Sequence, residues 1–275
     1  MMTTMLRGWH CRFRDRDPGP RPVQDNLEPL GVSVVGPSEE PMEPTGASTL
    51  FPVTGAPSAE YEPVLRTPIG TLVTHVVCGD VSTQGARPEQ AFRVPSGALL
   101  NRFVRSAWVA ELLVGPVKPR TPGSLEIAGC LAAIWRIRAI ERCGPCRICC
   151  SWSKLPDGAE GGPNSGEGLD AITWEVGSFA LSLGTEDGEF LSGRAGRDGS
   201  VPARLALELR IDTVEYVETG LVVPFSGLEP AEGLQVQFVV AWGDRDTANL
   251  TWLAVEQDPS NLLNQLLDPL SPAPP

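Results

Sequence analysis

The stretch Leu234-Gln-Val-Gln-Phe-Val-Val-Ala-Trp242 shows the sharpest apolar alternation in the chain. Alternation at every second residue places apolar side chains on one face of a β-strand, so this stretch is predicted to be a strand. Further strand patterns occur between turn sequences rich in Gly, Asp and Pro. They cover residues 69–78, 91–94, 108–114, 172–183, 205–211, 221–225 and 250–255.

Three segments bear on the helix content. Ser96 is a suitable helix N-cap, and Leu99, Leu100 and Phe103 fit one helical face, so residues 97–105 are predicted to form a brief helix. Residues 125–142 fit either a helix or a strand, and the strand patterns around them favour a strand. A short terminal helix is predicted for residues 261–267, after an N-cap sequence.

These patterns define the expected fold class. Helices of 10–15 residues do not alternate with the strands, which argues against a parallel α/β fold. The chain is therefore predicted to be all-β, a jelly roll or β-sandwich of about eight to ten strands.

Proline and glycine divide the chain. Residues 1–68 contain eleven Pro and few periodic apolar positions, so they are predicted to be a disordered leader. Residues 69–258 are expected to form a single β domain, with a flexible Gly-rich loop at 157–170. Residues 259–275 are expected to be the short helix and a Pro-rich tail. No apolar run is long enough to span a membrane and no signal peptide is visible, which excludes a membrane protein and a recognisable secretory route.

The net charge of −12 is unevenly distributed. Residues 1–169 carry as many basic as acidic side chains, so residues 170–275 hold the whole excess. Residues 87–147 contain ten basic side chains against four acidic ones. Such oppositely charged regions attract each other within a chain or between identical chains, although ordinary scatter on solvated surfaces is equally consistent. The candidate contacts with another subunit or with RNA are Arg102, Arg105, Arg136 and Arg138.

The seven cysteines do not fit a disulfide framework, because their number is odd and four of them crowd into residues 143–150. Cys143-Gly-Pro-Cys146 matches the active-site tetrapeptide of thioredoxins, but no aromatic residue precedes it and no long α/β frame surrounds it. A zinc or iron–sulfur site needs further ligands from distant strands. Reduced cysteines in or near a core are the preferred interpretation. The candidate metal ligands are Cys143, Cys146, Cys149 and Cys150.

Catalytic signatures are otherwise weak. His75 lies in a predicted strand, where a packed core histidine is favoured over a general base. No Gly-x-Ser-x-Gly nucleophile elbow occurs. We therefore do not expect an enzyme, and expect no cofactor unless the cysteines bind zinc.

The order of features from Phe92 to Ala133 resembles that of icosahedral plant-virus coat proteins of the tymovirus and marafivirus type. Its Phe-Arg-Val-Pro-Ser-Gly start, the apolar run ending at Val114, Gly-Pro-Val-Lys-Pro, and Thr-Pro-Gly-Ser-Leu-Glu-Ile-Ala-Gly carry the resemblance. It implies a jelly roll in which a short helix precedes a strand, a Pro-rich turn and another strand. The longer chain, the Pro-rich leader and the cysteine cluster depart from that pattern.

Three functions follow as expectations. The first is a self-assembling structural protein, most concretely a viral capsid subunit that partners with itself and with RNA through residues 87–147, located in the virion or cytoplasm. The second is a thiol or metal-binding protein built on the clustered cysteines. The third is a β-sandwich binding module.

Overall fold

The computed structural model describes residues 50–268, except 52–54, 62, 120–126, 167, 198 and 211. The described residues form fifteen strands and three α-helices, with 3₁₀ turns at Ala203–Leu207 and Arg245–Thr247. The strands are β1 (Ala56–Pro57), β2 (Val64–Thr67), β3 (Gly70–Cys78), β4 (Val81–Ser82), β5 (Gln90–Arg93), β6 (Leu99–Val104), β7 (Trp108–Pro116), β8 (Gly129–Ala139), β9 (Cys146–Trp152), β10 (Glu160–Pro163), β11 (Leu169–Val176), β12 (Phe179–Glu186), β13 (Glu215–Val217), β14 (Gly220–Phe225) and β15 (Gly233–Asp244). The helices are α1 (Gly188–Arg194), α2 (Ala248–Val255) and α3 (Pro259–Leu267).

The strands form two antiparallel sheets, which confirms the predicted all-β sandwich. The first sheet has nine strands in the order β1-β5-β6-β7-β8-β15-β12-β11-β10. The second has the order β13-β14-β9-β3-β2, with β4 paired to β3. Neighbours along the chain pair directly from β5 to β8 and from β10 to β12, so the large sheet is built mainly from meanders. This order favours the sandwich over the jelly roll, which is built from two Greek keys.

The main core lies between the two sheets, where most inward positions of both are apolar. Trp135 of β8 is fully buried there, and its Nε1 donates a hydrogen bond to Thr74 Oγ1 of β3 at 2.7 Å. Thr74 Oγ1 in turn donates to the Cys149 carbonyl at 2.9 Å. A buried indole N–H needs such a partner, so this contact fixes how the sheets face each other.

A second apolar cluster covers part of the other face of the nine-stranded sheet. Leu262 and Leu266 of α3 and Val255 of α2 pack there against strand residues such as Leu113. The predicted terminal helix is confirmed, and the Asp258 side chain caps it by accepting hydrogen bonds from the Ser260 and Asn261 amides. None of the described helices is long and apolar enough to cross a membrane.

Several secondary-structure predictions are corrected. The segment 97–105, expected to be a helix, contains the strand β6. Its two edges pair with β5 and β7, and an apolar cluster covers each of its two faces. The undecided segment 125–142 is a strand over Gly129–Ala139, as favoured. Strands were expected at 205–211 and 250–255. Residues 205–207 instead end a 3₁₀ turn, residues 208–210 are turn or irregular, and residues 250–255 lie in α2.

Ordered structure also begins before Ile69. Phe51 is fully buried, and β1 and β2 lie within the segment predicted as leader. Part of the predicted Gly-rich loop forms β10, in which Gly161 leaves room for the Trp174 ring: a Cβ there would lie 2.3 Å from a ring carbon. Leader residues 1–49 and tail residues 269–275 lie outside the described residues, and the domain division itself stays a prediction.

Candidate functional site

A row of polar side chains crosses the outer face of the nine-stranded sheet, meaning the face turned away from the second sheet. The strand register places Arg102 of β6 opposite Glu111 of β7, and Glu111 opposite Arg136 of β8. Arg136 is in turn opposite Gln235 of β15. Directly opposed residues of antiparallel strands project from the same face, so these four side chains form one continuous polar row.

Glu111 is the buried centre of the polar row. Its side chain has no exposed surface, and its Oε1 lies 3.7 Å from Arg102 Nη1. Its Oε2 accepts a hydrogen bond from the Phe51 amide at 2.9 Å. Burial raises the pKa of the Glu111 carboxyl, and the Phe51 amide and the two neighbouring arginines only partly oppose that rise.

Arg136 is held in a fixed position by three contacts. Its Nε donates to Gln235 Oε1 at 2.8 Å, and its Nη1 donates to the Leu50 carbonyl at 2.9 Å. The guanidinium also lies 4.5 Å from the centre of the Phe51 ring, a cation–π distance. The first described residues of the chain therefore lie against the polar row and orient its arginine.

Arg194 reaches the same region from α1. This helix begins after Asp187, whose side chain accepts a hydrogen bond from the Phe190 amide at 2.8 Å and so caps the helix. Arg194 Nη2 lies 2.8 Å from Glu186 Oε2 and donates to the Gln235 carbonyl at 3.0 Å. Gln235 thus contacts both arginines, Arg136 through its side chain and Arg194 through its backbone.

These arginines line one cavity of about 460 Å³, which we call the arginine cleft. Arg136, Arg138 and Arg194 line it together with Gln235 and the first residues of α3. Arg138 is exposed, and no carboxylate of a described residue lies within 4.0 Å of it. A neighbouring cavity of about 420 Å³ is lined by Arg138 and Arg102. Leu50 borders both cavities, so the two lie on either side of it.

The predicted contact arginines do not all lie together. Arg102, Arg136 and Arg138 meet at these two cavities, but Arg105 does not. Arg105 pairs with Glu89 at 2.7 Å and lies 5.9 Å from the centre of the Trp108 ring. Sequence reasoning missed Arg194, because no helix is predicted between the strand patterns of residues 172–183 and 205–211. The N-cap Asp187 followed by Glu189 in the first helical turn is the signal that predicts this helix.

Many charges of the basic segment are paired within the chain. Among the described residues, five of its basic side chains lie within 4.0 Å of a carboxylate. Two of these pairs, Arg142–Glu229 at 3.2 Å and Arg147–Glu215 at 2.6 Å, join it to the acidic C-terminal third. The attraction expected between the two regions therefore occurs within one chain. Self-association and RNA contact stay predictions.

The clustered cysteines are not brought together on one face. Cys146 and Cys150 of β9 are buried in the main core, whereas Cys149 between them projects from the opposite face and is half-buried. Cys143 precedes β9 in an isolated bridge to Leu228. No group of three or more His, Cys, Asp or Glu among the described residues is placed to hold a metal ion. The part of the chain that the structure describes therefore offers no zinc site here.

The Cys143-Gly-Pro-Cys146 dithiol also lacks the setting of a redox enzyme. The strand β9 follows it, whereas a reactive thiol of this motif needs a helix N-terminus to stabilise the thiolate. Burial raises the pKa of the Cys143 thiol to about 11, and Cys146 and Glu141 add to the rise. A nucleophilic thiolate at neutral pH is disfavoured at Cys143.

Comparison with solved structures finds a likeness at low sequence identity. No family model and no curated protein matches the chain. A solved structure described as "Putative kojibiose phosphorylase from human microbiome" is similar with a TM-score of 0.44 at 8% identity, covering 71% of this chain and 26% of that chain. This chain thus spans about a quarter of that protein's length.

The expectation of a viral capsid subunit is corrected. The similar structure is described as a putative phosphorylase and not as a coat protein, and the prediction of a capsid subunit is wrong. The physical reason is the sheet order: the coat-type jelly roll requires Greek keys, whereas meanders dominate here. The TM-score is too low to transfer an activity from that protein to this chain.

Proposed function

We propose that this protein is a β-sandwich binding protein whose arginine cleft holds a small molecule bearing a carboxylate or phosphate group. The observation that carries the proposal is Arg138. It is exposed in a cavity that two further arginines line, and no described carboxylate lies within ion-pair distance of it. A guanidinium in this situation is available to a ligand.

The chemistry of arginine favours oxyanions. A guanidinium presents a planar fork of N–H donors that matches two oxygens of a carboxylate or phosphate. Arg136 and Arg194 are already fixed by Gln235, so little side-chain entropy is lost when a ligand binds them. Arg194 also keeps a donor for a ligand, since its Nε makes no hydrogen bond with a described residue.

The cleft also contains one carboxylate, that of Asp258, which offsets part of the positive charge of the three arginines. Asp258 lines it, and the same carboxylate accepts hydrogen bonds from the Ser260 and Asn261 amides at the start of α3. The helix N-terminus is therefore satisfied within the chain and does not itself bind the ligand. We assign the anion to the three arginines, and we assign no catalytic step to the cleft.

A small anion fits the cleft better than an extended nucleic acid does. Half of the ten basic side chains in residues 87–147 already pair with described acids. Binding to a phosphate backbone draws on many free Lys and Arg side chains along one surface. Arg136 and Arg138 of this segment instead line one cavity together.

Isothermal titration with inorganic phosphate and with citrate at low ionic strength tests the proposal. We expect saturable binding of at least one of them. Arg138→Gln should weaken that binding by about tenfold or more, because a hydrogen bond to a charged group contributes roughly 1.5–3 kcal/mol. Arg87→Gln is the matched control, since Arg87 is an exposed arginine that lines neither cavity.

Three results would count against the proposal. They are no binding of either anion, equal weakening by Arg87→Gln, and binding of a single-stranded oligonucleotide that phosphate does not compete with. The last result would return the basic segment to an RNA-binding role.

A further inference from the structure

A second cavity lies next to the arginine cleft on the same face of the sheet. It has a volume of about 200 Å³, and Asp258 and Pro259 line both spaces. Its polar lining includes Thr185, Gln237 and Gln257. We call it the glutamine cavity. By liquid volume it has room for about six waters, or for one sugar-sized ring.

The two glutamines present unpartnered oxygens. Gln237 is 3% exposed and Gln257 is 9% exposed, and the side-chain oxygen of neither has a hydrogen-bond partner. Their nitrogens are engaged: Gln237 Nε2 donates to the Gln257 carbonyl at 3.0 Å, and Gln257 Nε2 donates to the Ala254 carbonyl at 3.0 Å. Flipping either amide would place an oxygen against a carbonyl oxygen, so the orientation of both amides is determined.

The other polar groups of the cavity also lack spare donors. Thr185 Oγ1 donates its proton to the Gln237 carbonyl at 2.7 Å, which leaves it only as an acceptor. The Glu186 carboxylate is an acceptor and is paired with Arg194. Buried acceptors without donors are unfavourable, so whatever occupies the cavity must bring hydrogen-bond donors.

Charge and shape favour hydroxyl groups over an ammonium group. Three acidic side chains line the cavity. Glu256 and Asp258 are exposed to solvent, and the buried Glu186 has its charge balanced by the Arg194 guanidinium at 2.8 Å. The remaining walls include Leu169, Val239 and Val255, which suit the C–H surfaces of a ring. A neutral ring that carries hydroxyl groups satisfies both kinds of wall.

An aromatic ring lies at the same cavity. Phe190 lines it and is 55% exposed, so its ring is accessible to a ligand. The ring packs on Gly168, where a Cβ would lie 2.3 Å from a ring carbon and where φ is +80°, a value that favours glycine. The position of Phe190 is therefore fixed although the ring is exposed, as a stacking surface for a ligand requires.

We infer that the glutamine cavity is a subsite for a sugar ring, and that the ligand of the two adjacent cavities is a sugar carrying an anionic group such as a phosphate ester. This inference rests on the proposed function for the anionic end of the ligand. The hydroxyl groups donate to Gln237 and Gln257, one ring face stacks on Phe190, and the oxyanion binds the arginines.

Isothermal titration of the full chain with hexose 1-phosphates and 6-phosphates of glucose, galactose and mannose tests the inference. The reference probes are inorganic phosphate and the free hexoses. At least one ester should bind roughly tenfold tighter than inorganic phosphate, the gain expected from one additional net hydrogen bond or more. Gln257→Leu and Phe190→Ala should each remove most of that gain and leave the phosphate affinity unchanged.

Matched controls separate binding from folding. Gln84→Leu and Leu207→Ala change an exposed glutamine and an exposed apolar residue that line neither cavity, and they should leave every affinity unchanged. Phe190→Ala alters an exposed side chain, so this variant keeps the test decisive if Gln257→Leu does not fold.

The outcomes distinguish the two proposals. If every ester binds no tighter than inorganic phosphate, the cavity holds only water and this inference is wrong while the anion-binding function stands. If free hexoses bind as tightly as the esters and inorganic phosphate does not bind, the sugar subsite is supported and the arginine-cleft function is wrong. If neither phosphate, hexoses nor esters bind, both proposals fail.

Discussion

The outer face of the nine-stranded sheet has two halves that use the same strands for opposite purposes. In the helix-covered half, Leu100, Leu113 and Ile134 of β6, β7 and β8 are buried in the second apolar cluster with α3. In the polar half, residues two positions along the same strands are Arg102, Glu111 and Arg136. A shift of about 7 Å along the strands thus changes a packed apolar layer into the polar row.

The difference shows how a binding site is placed on a stable sheet. The apolar row supplies packing energy by excluding water, whereas the polar row must satisfy buried charges with one another. Phe51 and Leu50 do part of this work, because their backbone groups bond to Glu111 and Arg136. The buried Glu111 carboxylate lies between Arg102 and Arg136 and orients them at the edge of open cavities. Burying this carboxylate costs free energy.

The largest expected effect is that of removing Glu111. Glu111→Ala deletes the buried carboxylate between Arg102 and Arg136, and we expect a loss of about 3–5 kcal/mol in the free energy of unfolding, typical of breaking a buried pair. Glu111→Gln keeps the shape and should cost clearly less. Urea unfolding at pH 7 measures both variants. Equal losses would show that the carboxylate charge itself, and not the filled space, stabilises the polar half.

The same residue predicts a pH dependence. Its pKa is raised in the folded state, so between the ordinary value of 4.5 and the raised value the folded chain holds more protons than the unfolded chain. This group therefore makes the wild type less stable as pH rises through that window. Glu111→Gln lacks the titration, so the stability of the variant relative to wild type should improve with rising pH. A constant difference between pH 4 and pH 7 would contradict the raised pKa.

The next effect tests the helix-covered half. Leu113 is fully buried there, and Leu113→Ala should lower the free energy of unfolding by about 2–5 kcal/mol through lost burial and a cavity. Val104→Ala is the control, because Val104 of β6 projects from the same outer face of the sheet as Leu113 but is 42% exposed. This substitution should cost less than about 1 kcal/mol in the free energy of unfolding. Phosphate affinity should be unchanged in both folded variants. If Leu113→Ala alters phosphate affinity, the two halves are coupled and do not act separately.

The contrast between the halves also explains what the sequence could predict. Period-two alternation predicted β15 and the all-β class, since it depends only on which face of a strand is buried. It failed at residues 99–104, where the strand is buried on both faces and the apolar residues therefore also fit one face of a helix. It failed again at Leu205 and Leu209, whose burial follows helical spacing while Leu207 between them is exposed.

The candidate site was only partly predictable for a similar reason. The uneven distribution of charge indicated Arg102, Arg136 and Arg138 as candidate contact residues, because they lie in the basic segment 87–147. Arg194 comes from the acidic third, and only the meeting of α1 with β15 brings it to Gln235. The glutamine cavity depends on which amide atoms have partners, and this follows from tertiary packing rather than from any local pattern.

The smallest effect is expected at Asp258, where the two halves meet. Asp258→Ala removes the N-cap of α3 and should cost about 1 kcal/mol in the free energy of unfolding. It also removes the negative charge that lines the arginine cleft, so phosphate should bind about threefold tighter, as expected when a repulsion of roughly 0.6 kcal/mol is lost.

Asp258→Asn separates these effects, because asparagine keeps the cap and lacks the charge. Chemical unfolding and phosphate titration should show Asp258→Asn with near wild-type stability and the tighter binding. Tighter binding in Asp258→Ala alone would mean that the freed helix amides, and not the arginines, hold the anion.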